Sequence, residues 1–330
     1  MKFLYFTDSH IRGSSPKSRK DNYIEALKEK FKEIVETVKN ENIDYVLFGG
    51  DLFDRPDLSL SIVNEFIIYL KELPLPIYCV LGNHDIFGQN PSTASRTVLG
   101  ILDTLGIVKL INLNEFIYLK KDVITIQLTG CPYYYNIDTS NEKEGYIVNY
   151  KKNCDFAIHI VHGMLLDKPF IKGVPHTLID EIADKTLSDI TLCGHYHTGF
   201  GIKKVNDKYF INIGSISRIS NTLSEAERIP SYLIINVDKD LKFDIRNLKC
   251  AKNGDEIFDK EILRQEEFKQ QKINEFIQQV NSYGSFEILN IESIIREISI
   301  RERIPDDIKD EAIRRIGEAQ LLLSSKEGML

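Results

Sequence analysis

Five times in its first two hundred or so residues the chain runs through a short apolar segment and into a cluster of Asp, His, Asn and Gly. The clusters are Asp8-Ser9-His10, Gly49-Gly50-Asp51-Leu52-Phe53-Asp54, Gly82-Asn83-His84-Asp85, His162-Gly163 and Gly194-His195-Tyr196-His197. Short apolar runs rich in β-branched and aromatic residues predict buried strands. Loops at the ends of such strands are where open α/β sheets gather their ligands.

The intervening chain supplies the rest of the layers. Residues 20–39 carry Tyr23, Ile24, Leu27, Phe31, Ile34, Val35 and Val38 at helical spacing, and helices are also expected over 59–72 and near 95–105. Strands are expected at 2–7, 44–48 and 76–81, near 107–111, 115–119 and 123–129, and at 155–161 and 189–193. From about 200 the pattern is β alone, at 200–205, 208–213, 231–237 and 242–248, with turn residues between. Alternating strands and helices followed by consecutive strands predict an α/β layered fold, with sheets packed between helices.

After about Gly254 the composition becomes charged and Gln-rich. Ile273, Phe276, Ile277 and Val280 fall on one helical face, 291–302 is another candidate helix, and Pro305-Asp306-Asp307 reads as a helix start before Ile308, Ala312, Ile313, Ile316 and Ala319. The expected organisation is therefore a core over 1–250 and a C-terminal helical appendage over 256–330.

Composition narrows the function. The net charge of −7 argues against binding nucleic acid through bulk positive charge. It leaves room for a nuclease whose bound cations meet the phosphate. No run approaches the roughly 18 uncharged apolar residues of a membrane span, and the N-terminal apolar run is too short for a signal peptide. A cytoplasmic protein without a membrane partner is the expectation. The five cysteines are far apart and form no C-x-x-C pair, so they read as buried reduced thiols, not as a disulfide framework or zinc site.

The clusters share one chemistry. Carboxylate, imidazole and amide donors together suit Mn, Fe or Zn. In a D-x-H or H-x-H run on a strand, residues i and i+2 share a face and aim their side chains the same way. A carboxylate such as Asp51 has two oxygens and can bridge two ions. Two ions about 3.5–4 Å apart can grip a phosphate, activate a water and steady the leaving oxygen. One such cluster could be an ordinary turn. Five in order, each after an apolar run, are hard to explain that way.

The series DSH, GGDLFD, GNHD, HG and GHYH resembles the calcineurin-like metallophosphoesterase superfamily, over residues 1 to about 248. The resemblance implies a β-sandwich flanked by helices, with a dinuclear metal centre at the strand ends. It places Asp8, His10, Asp51 and His197 on one metal, and Asp51, Asn83, His162 and His195 on the other, with Asp51 bridging. It makes His84 a group that faces the phosphate and stabilises or protonates the leaving oxygen, and not a ligand. Asp85 reads as a structural hydrogen-bond acceptor, and Asp54 as a support or loop lock. His159 reads as structural and His176 as a loop residue. Asn212-Ile213-Gly214-Ser215 resembles the N-P-G-S turn that often closes the family's site, with Ile in place of Pro. A role for Ser215 or Arg218 is left open.

Within the superfamily the sequence is most similar to the SbcD-type DNA repair nucleases. The features are His10-Ile11-Arg12-Gly13 followed by Arg19-Lys20-Asp21, the form GGDLFDRP, and the compact spacing from Asp51 to Asn83. This implies a two-metal exo- or endonuclease that hydrolyses DNA phosphodiesters, with Mn the best-fitting metal and Fe or Zn as alternatives. Arg12, Lys17 and Arg19 become candidate contacts to the DNA backbone. The group's mixed α/β cap domain is not matched here, since the last 75 or so residues read as helices. The group works with a coiled-coil ATPase of the SbcC type. The apolar stripes of the tail could dock such a partner, pack on the core, or form a homodimer. The alternatives are a cyclic-nucleotide or other small-molecule phosphodiesterase with the same metals, a protein phosphatase, whose first loop fits less well, and a non-catalytic scaffold. The scaffold is disfavoured because every ligand, and His84, is retained. A broad groove lined by Arg12, Lys17 and Arg19 would favour a polymer, and a narrow pocket a nucleotide.

Overall fold

Strand Lys2–Phe6 (β1) shows why the apolar runs do not alternate with polar residues. Phe3 and Tyr5 point to one side and Leu4 and Phe6 to the other, and all four are buried. A strand covered on both faces needs apolar residues at every position. In the computed structural model the same logic builds Tyr45–Phe48 (β2) and Ile77–Cys79 (β3). Val108–Leu110 (β4) and Ile117–Lys121 (β5) are sheet edges, β5 with only Leu119 buried, and the same logic holds again for Ile124–Cys131 (β6) and Phe156–Gly163 (β7). A small pair, Leu165–Leu166 (β8) and Thr177–Leu178 (β9), precedes Ile190–His195 (β10). Gly201–Val205 (β11), Lys208–Asn212 (β12), Ser231–Val237 (β13) and Leu241–Asn247 (β14) follow.

Two sheets result, ordered β14-β13-β1-β2-β3-β4 and β11-β12-β10-β7-β6-β5. In the first, β1 to β4 run parallel and β13 joins β1 antiparallel. In the second, β6, β7, β10 and β12 run parallel, with β5 and β11 as antiparallel edges. Phe3, Tyr5, Leu47 and Val80 of the first sheet's side pack against Leu128, Ile158, Ile160, Leu192 and Ile211 of the second. The helices Tyr23–Glu41 (α1), Leu60–Leu70 (α2) and Val98–Thr104 (α3) cover the first sheet's outer face, where Phe31, Phe66 and Leu99 meet Leu4, Phe6 and Phe48. Helix Ile179–Ile182 (α4) and Tyr146 cover Val161, Cys193 and Phe210 on the second. The expected α/β layers, a β-sandwich between helices, are present.

Helix α1 begins where its sequence says it should. The Asn22 side chain accepts from the N–H groups of Ile24 at 3.1 Å and Glu25 at 3.3 Å. Asn42, in the left-handed conformation, ends it. The helix expected near 95–105 is split, because Thr97 accepts from Gly100 N and starts α3 only after a 3-10 turn over Pro91–Arg96.

The structure describes residues 1–259 apart from 18, 140–142, 172–173 and 221, and beyond them scattered positions up to 309. The chain divides into two compact units, Met1–Glu267 and Phe268–Leu330. The boundary expected at 250–256 therefore lies inside the first unit. Helix Leu223–Glu227 (α5) and helix Gly254–Ile257 (α6) belong to it, Ile257 and Phe258 are buried, and Lys20 N donates to Ile257 O at 2.8 Å. The charged composition there concealed two buried apolar residues. The apolar stripes at 273–280 and 312–319 lie outside the described residues. Among the described residues no helix is long and apolar enough to cross a membrane.

Candidate metal centre

The loops that follow β1, β2 and β3 and the ends of β7 and β10 converge at one place, and much of the backbone there is left-handed. Asp8, His10, Asp51 and His195 have φ of 55°, 44°, 55° and 79°. Non-glycine residues adopt this left-handed region at a cost, and they cluster at functional sites. The reading of D-x-H as two side chains on one strand face is thus corrected. β1 ends at Phe6, and two left-handed residues aim Asp8 and His10 instead. Cross-loop hydrogen bonds hold the strain, from Asp8 N to Gly50 O at 3.1 Å and from His10 N to Asp51 O at 3.0 Å.

Seven side chains meet. His10 Nε2 lies 3.0 Å from His197 Nε2, 3.7 Å from Asp51 Oδ2 and 3.9 Å from Asp8 Oδ1. His162 Nε2 lies 3.3 Å from Asp51 Oδ2 and 3.2 Å from Asn83 Oδ1. His195 Nδ1 is 2.9 Å from the same amide oxygen. Donor atoms of Asp8, His10 and His197 lie within 4.8 Å of one another, as do those of Asp51, His162 and His195. Asp51 stands between the two groups.

The donors fit a pair of divalent cations. His162 Nδ1 donates to Gly49 O at 2.8 Å, which fixes its tautomer and turns the Nε2 lone pair toward Asp51 and Asn83. Burial pushes Asp8 up, but His197 and His162 outweigh it and hold the carboxyl at about 2. Burial likewise pushes Asp51 up, and the charges of His162 and His10 drive it below the usual carboxylate range. His195 is depressed to about 4 by burial and by His162, which keeps its imidazole neutral. Burial pushes His162 and His197 down, but Asp51 outweighs it and raises His162 to about 9, and Asp8 raises His197, so these two imidazoles would give up a proton when a cation binds.

His84 is built differently. Its Nδ1 donates to the carbonyl of Asp54 at 3.0 Å, so Nε2 is the nitrogen left uncommitted, its ring meets that of His10 edge-on at 4.8 Å, and one of its nitrogens lies within 4.8 Å of donor atoms of His10 and Asp51. Its own N–H anchors Asp51 Oδ1 at 2.8 Å. The residue that orients the imidazole is Asp54, through its backbone. Asp85 accepts from the N–H groups of Asp51, Gly82 and Phe53 at 2.8, 3.0 and 3.1 Å, and ties the second cluster to the third.

The remaining candidates separate clearly. The Asp54 carboxylate lies 3.6 Å from His10 Nδ1 and 3.5 Å from Arg12. His159 is buried between Thr129 Oγ1 at 2.9 Å and Gly145 O at 2.9 Å, and His176 sits half-buried on a loop. Ser215 Oγ donates to Asp8 O at 2.7 Å, so the Asn212–Ser215 turn supports the first cluster from behind. Arg12 is partly exposed and Lys17 exposed. Arg19 is withdrawn from the substrate contacts. Its guanidinium is buried, grips Asp21 at 2.6 and 2.8 Å, and donates to Arg218 O at 3.0 Å. The R-x-D spacing made a local ion pair where a free cation was expected.

Tyr133 escaped the sequence reading. Its ring centre lies 5.5 Å from that of His195 and 6.2 Å from that of His162, and its N–H donates to Leu81 O at 2.8 Å. The only signal was its place just past β6, a strand end without a His or Asp.

With this geometry in view, the comparisons are direct. The sequence matches the calcineurin-like phosphoesterase family over residues 1–210. The chain belongs to that family. It is 26% identical over 255 residues to the DNA double-strand break repair protein Mre11 of Archaeoglobus fulgidus, covering 70% of this chain and 53% of that protein. It is 32% identical over 108 residues to the Mre11 protein of Aeropyrum pernix, covering 31% of this chain and 24% of that protein. The chain thus spans from about a quarter to about half of these relatives' length. A solved calcineurin-like phosphoesterase, YfkN of Bacillus subtilis, aligns over 84% of this chain and 98% of that one with a TM-score of 0.44 and 12% identity. Membership makes the chain a metal-dependent phosphoester hydrolase by family, and a dinuclear centre is the family's cofactor.

Proposed function

We propose that the chain is a nuclease that hydrolyses phosphodiester bonds in DNA at a two-metal centre, with Mn as the fitting metal. The observation that carries the chemistry is the convergence of seven donors in two groups with Asp51 between them, its Oδ2 lying 3.7 Å from His10 Nε2 and 3.3 Å from His162 Nε2, and with His84 beside them. The choice of DNA is supported by the similarity to Mre11 proteins over most of the first unit. When bound, the two ions supply positive charge and an activated water for in-line attack at phosphorus. The protein's part is to hold the donors in their charged or neutral forms, and to keep His84 aimed. With the Nδ1 proton committed to the Asp54 carbonyl, the doubly protonated ring would be the form that gives a proton from Nε2 to the departing oxygen. Arg12 and Lys17 stand in the loop after the first cluster, where a backbone phosphate would pass. The tail is proposed to serve assembly, with an SbcC-type ATPase or a second copy of this chain as partner.

The test is a panel of substrates with Mn²⁺: linear duplex DNA, single-stranded DNA, a cyclic nucleotide and a chromogenic phosphodiester. The reading expects turnover of DNA together with the chromogenic diester. Turnover of the cyclic nucleotide with DNA left intact would replace it with a small-molecule phosphodiesterase.

A further inference from the structure

Three cations, Lys30, Arg19 and Arg218, lie buried around the loop that follows β12, with Arg228 half-buried beside them. Lys30 Nζ donates to Ile216 O at 2.6 Å, Arg19 to Arg218 O at 3.0 Å, Arg228 to Ser215 O at 2.5 Å and also to Ser217 O, and Arg218 to Lys252 O at 2.5 Å. Two carboxylates answer them. Asp21 takes Arg19 at 2.6 Å and Glu225 takes Arg228 at 2.6 Å. Among the described residues Lys30 and Arg218, at 3% and 2% exposure, have no ion-pair partner, and Arg218 Nε has no hydrogen-bond partner. Two unpaired charges in such a place are costly to bury. Burial and the neighbouring guanidiniums also push Lys30 well below the ordinary lysine range.

A cleft of about 230 Å³ opens on these two residues, between the start of α1 and the segment around Cys250. The acids on its wall are already engaged. Glu25 pairs with Lys28 at 2.8 Å, Glu29 with Lys32 at 2.5 Å, and Asp21 with Arg19. An anion entering the cleft would offset the burial and the guanidinium repulsion that push Lys30 down, and so hold it charged beside Arg218, on which Glu225 and Asp21 act without forming an ion pair. With both groups charged, the match is a phosphate monoester or inorganic phosphate, which carries about −1.5 to −2 at neutral pH. A carboxylate would leave one of them unmatched.

We propose that this cleft is a second, non-catalytic site that binds a phosphate group through Lys30 and Arg218. It shares no residue with the metal centre and stands whether or not the chain acts on DNA.

The experiment is calorimetric titration of the metal-loaded protein with inorganic phosphate, and separately with a nucleoside 5′-monophosphate. Wild type is expected to show binding that Lys30→Met weakens at least ~10-fold, the loss expected for one charged hydrogen bond. Lys30→Arg should retain it. Any phosphate held at the metals would be common to all three proteins and drop out of the comparison. Binding of inorganic phosphate alone assigns the free ion, and binding of both assigns a monoester as well. Identical isotherms for wild type and Lys30→Met would overturn the proposal. If Lys30→Met does not fold, wild-type crystals soaked in arsenate decide, read by anomalous scattering. A peak within hydrogen-bond distance of Lys30 Nζ is expected, and no peak there overturns the site.

Discussion

His84 is held by one hydrogen bond that decides what its ring can do. With Nδ1 donating to Asp54 O, only Nε2 remains for a substrate oxygen. Replacing His84 by Ala should leave the metal content unchanged and lower kcat on a chromogenic diester by ~10²–10⁴, the usual worth of a placed acid or base. Metal analysis beside steady-state kinetics checks this, and a drop in bound metal would make His84 a ligand instead. His159 carries a different consequence. Burial lowers its pKa from 6.5 to about 4. As pH falls the unfolded chain takes up this proton first, so the contribution is whole above 6.5 and is lost on the way down to about 4. That interval is worth about 3 kcal/mol. His159→Gln should flatten the acid limb of stability against pH by that order, measured by urea unfolding from pH 7 to 4. Parallel curves for the two proteins would remove His159 from the account. At this scale residue types revealed the donors, because few other chemistries bring together so many His, Asp and Asn. They did not reveal Arg19, since a sequence shows a cation and not the Asp21 carboxylate that occupies it.

The elements position the site through their ends. Parallel strands β1, β2 and β3 bring Asp8, Asp51 and Asn83 to one edge, and β7 and β10 bring His162 and His195. These strands were legible because both of their faces are covered, which makes them apolar throughout. The tight loops after them were not, because left-handed φ at Asp8, His10, Asp51 and His195 is a product of the surrounding contacts and leaves no mark in composition. Gly82 shows how close the packing is. A Cβ there would stand 2.1 Å from Asp51 Oδ1 and 2.4 Å from its N. Gly82→Ala should displace the Asp51 carboxylate, cost about 1–3 kcal/mol of stability and weaken metal binding. Retention of full metal affinity by this variant would contradict the placement of Asp51 against that loop.

On the scale of the first unit, the site is a seam between two sheets. Asp8, His10, Asp51 and Asn83 come from loops of one sheet, and His162, His195 and His197 from the ends of β7 and β10 and the loop after β10 in the other. Cations bound among them would tie the sheets together, and a ligand that binds only the folded state stabilises it by mass action. This seam explains why the motifs are spread over nearly two hundred residues and yet act as one. The central claim is that all of these donors serve two ions through Asp51. It is tested by counting Mn²⁺ bound per chain, by equilibrium dialysis and elemental analysis, in the wild type and in Asp51→Ala, alongside hydrolysis of the chromogenic diester. The account predicts two ions in the wild type, and loss of metal at both positions together with hydrolysis in the variant. Wild-type protein that binds no Mn²⁺, or that keeps full activity after chelation, would contradict it.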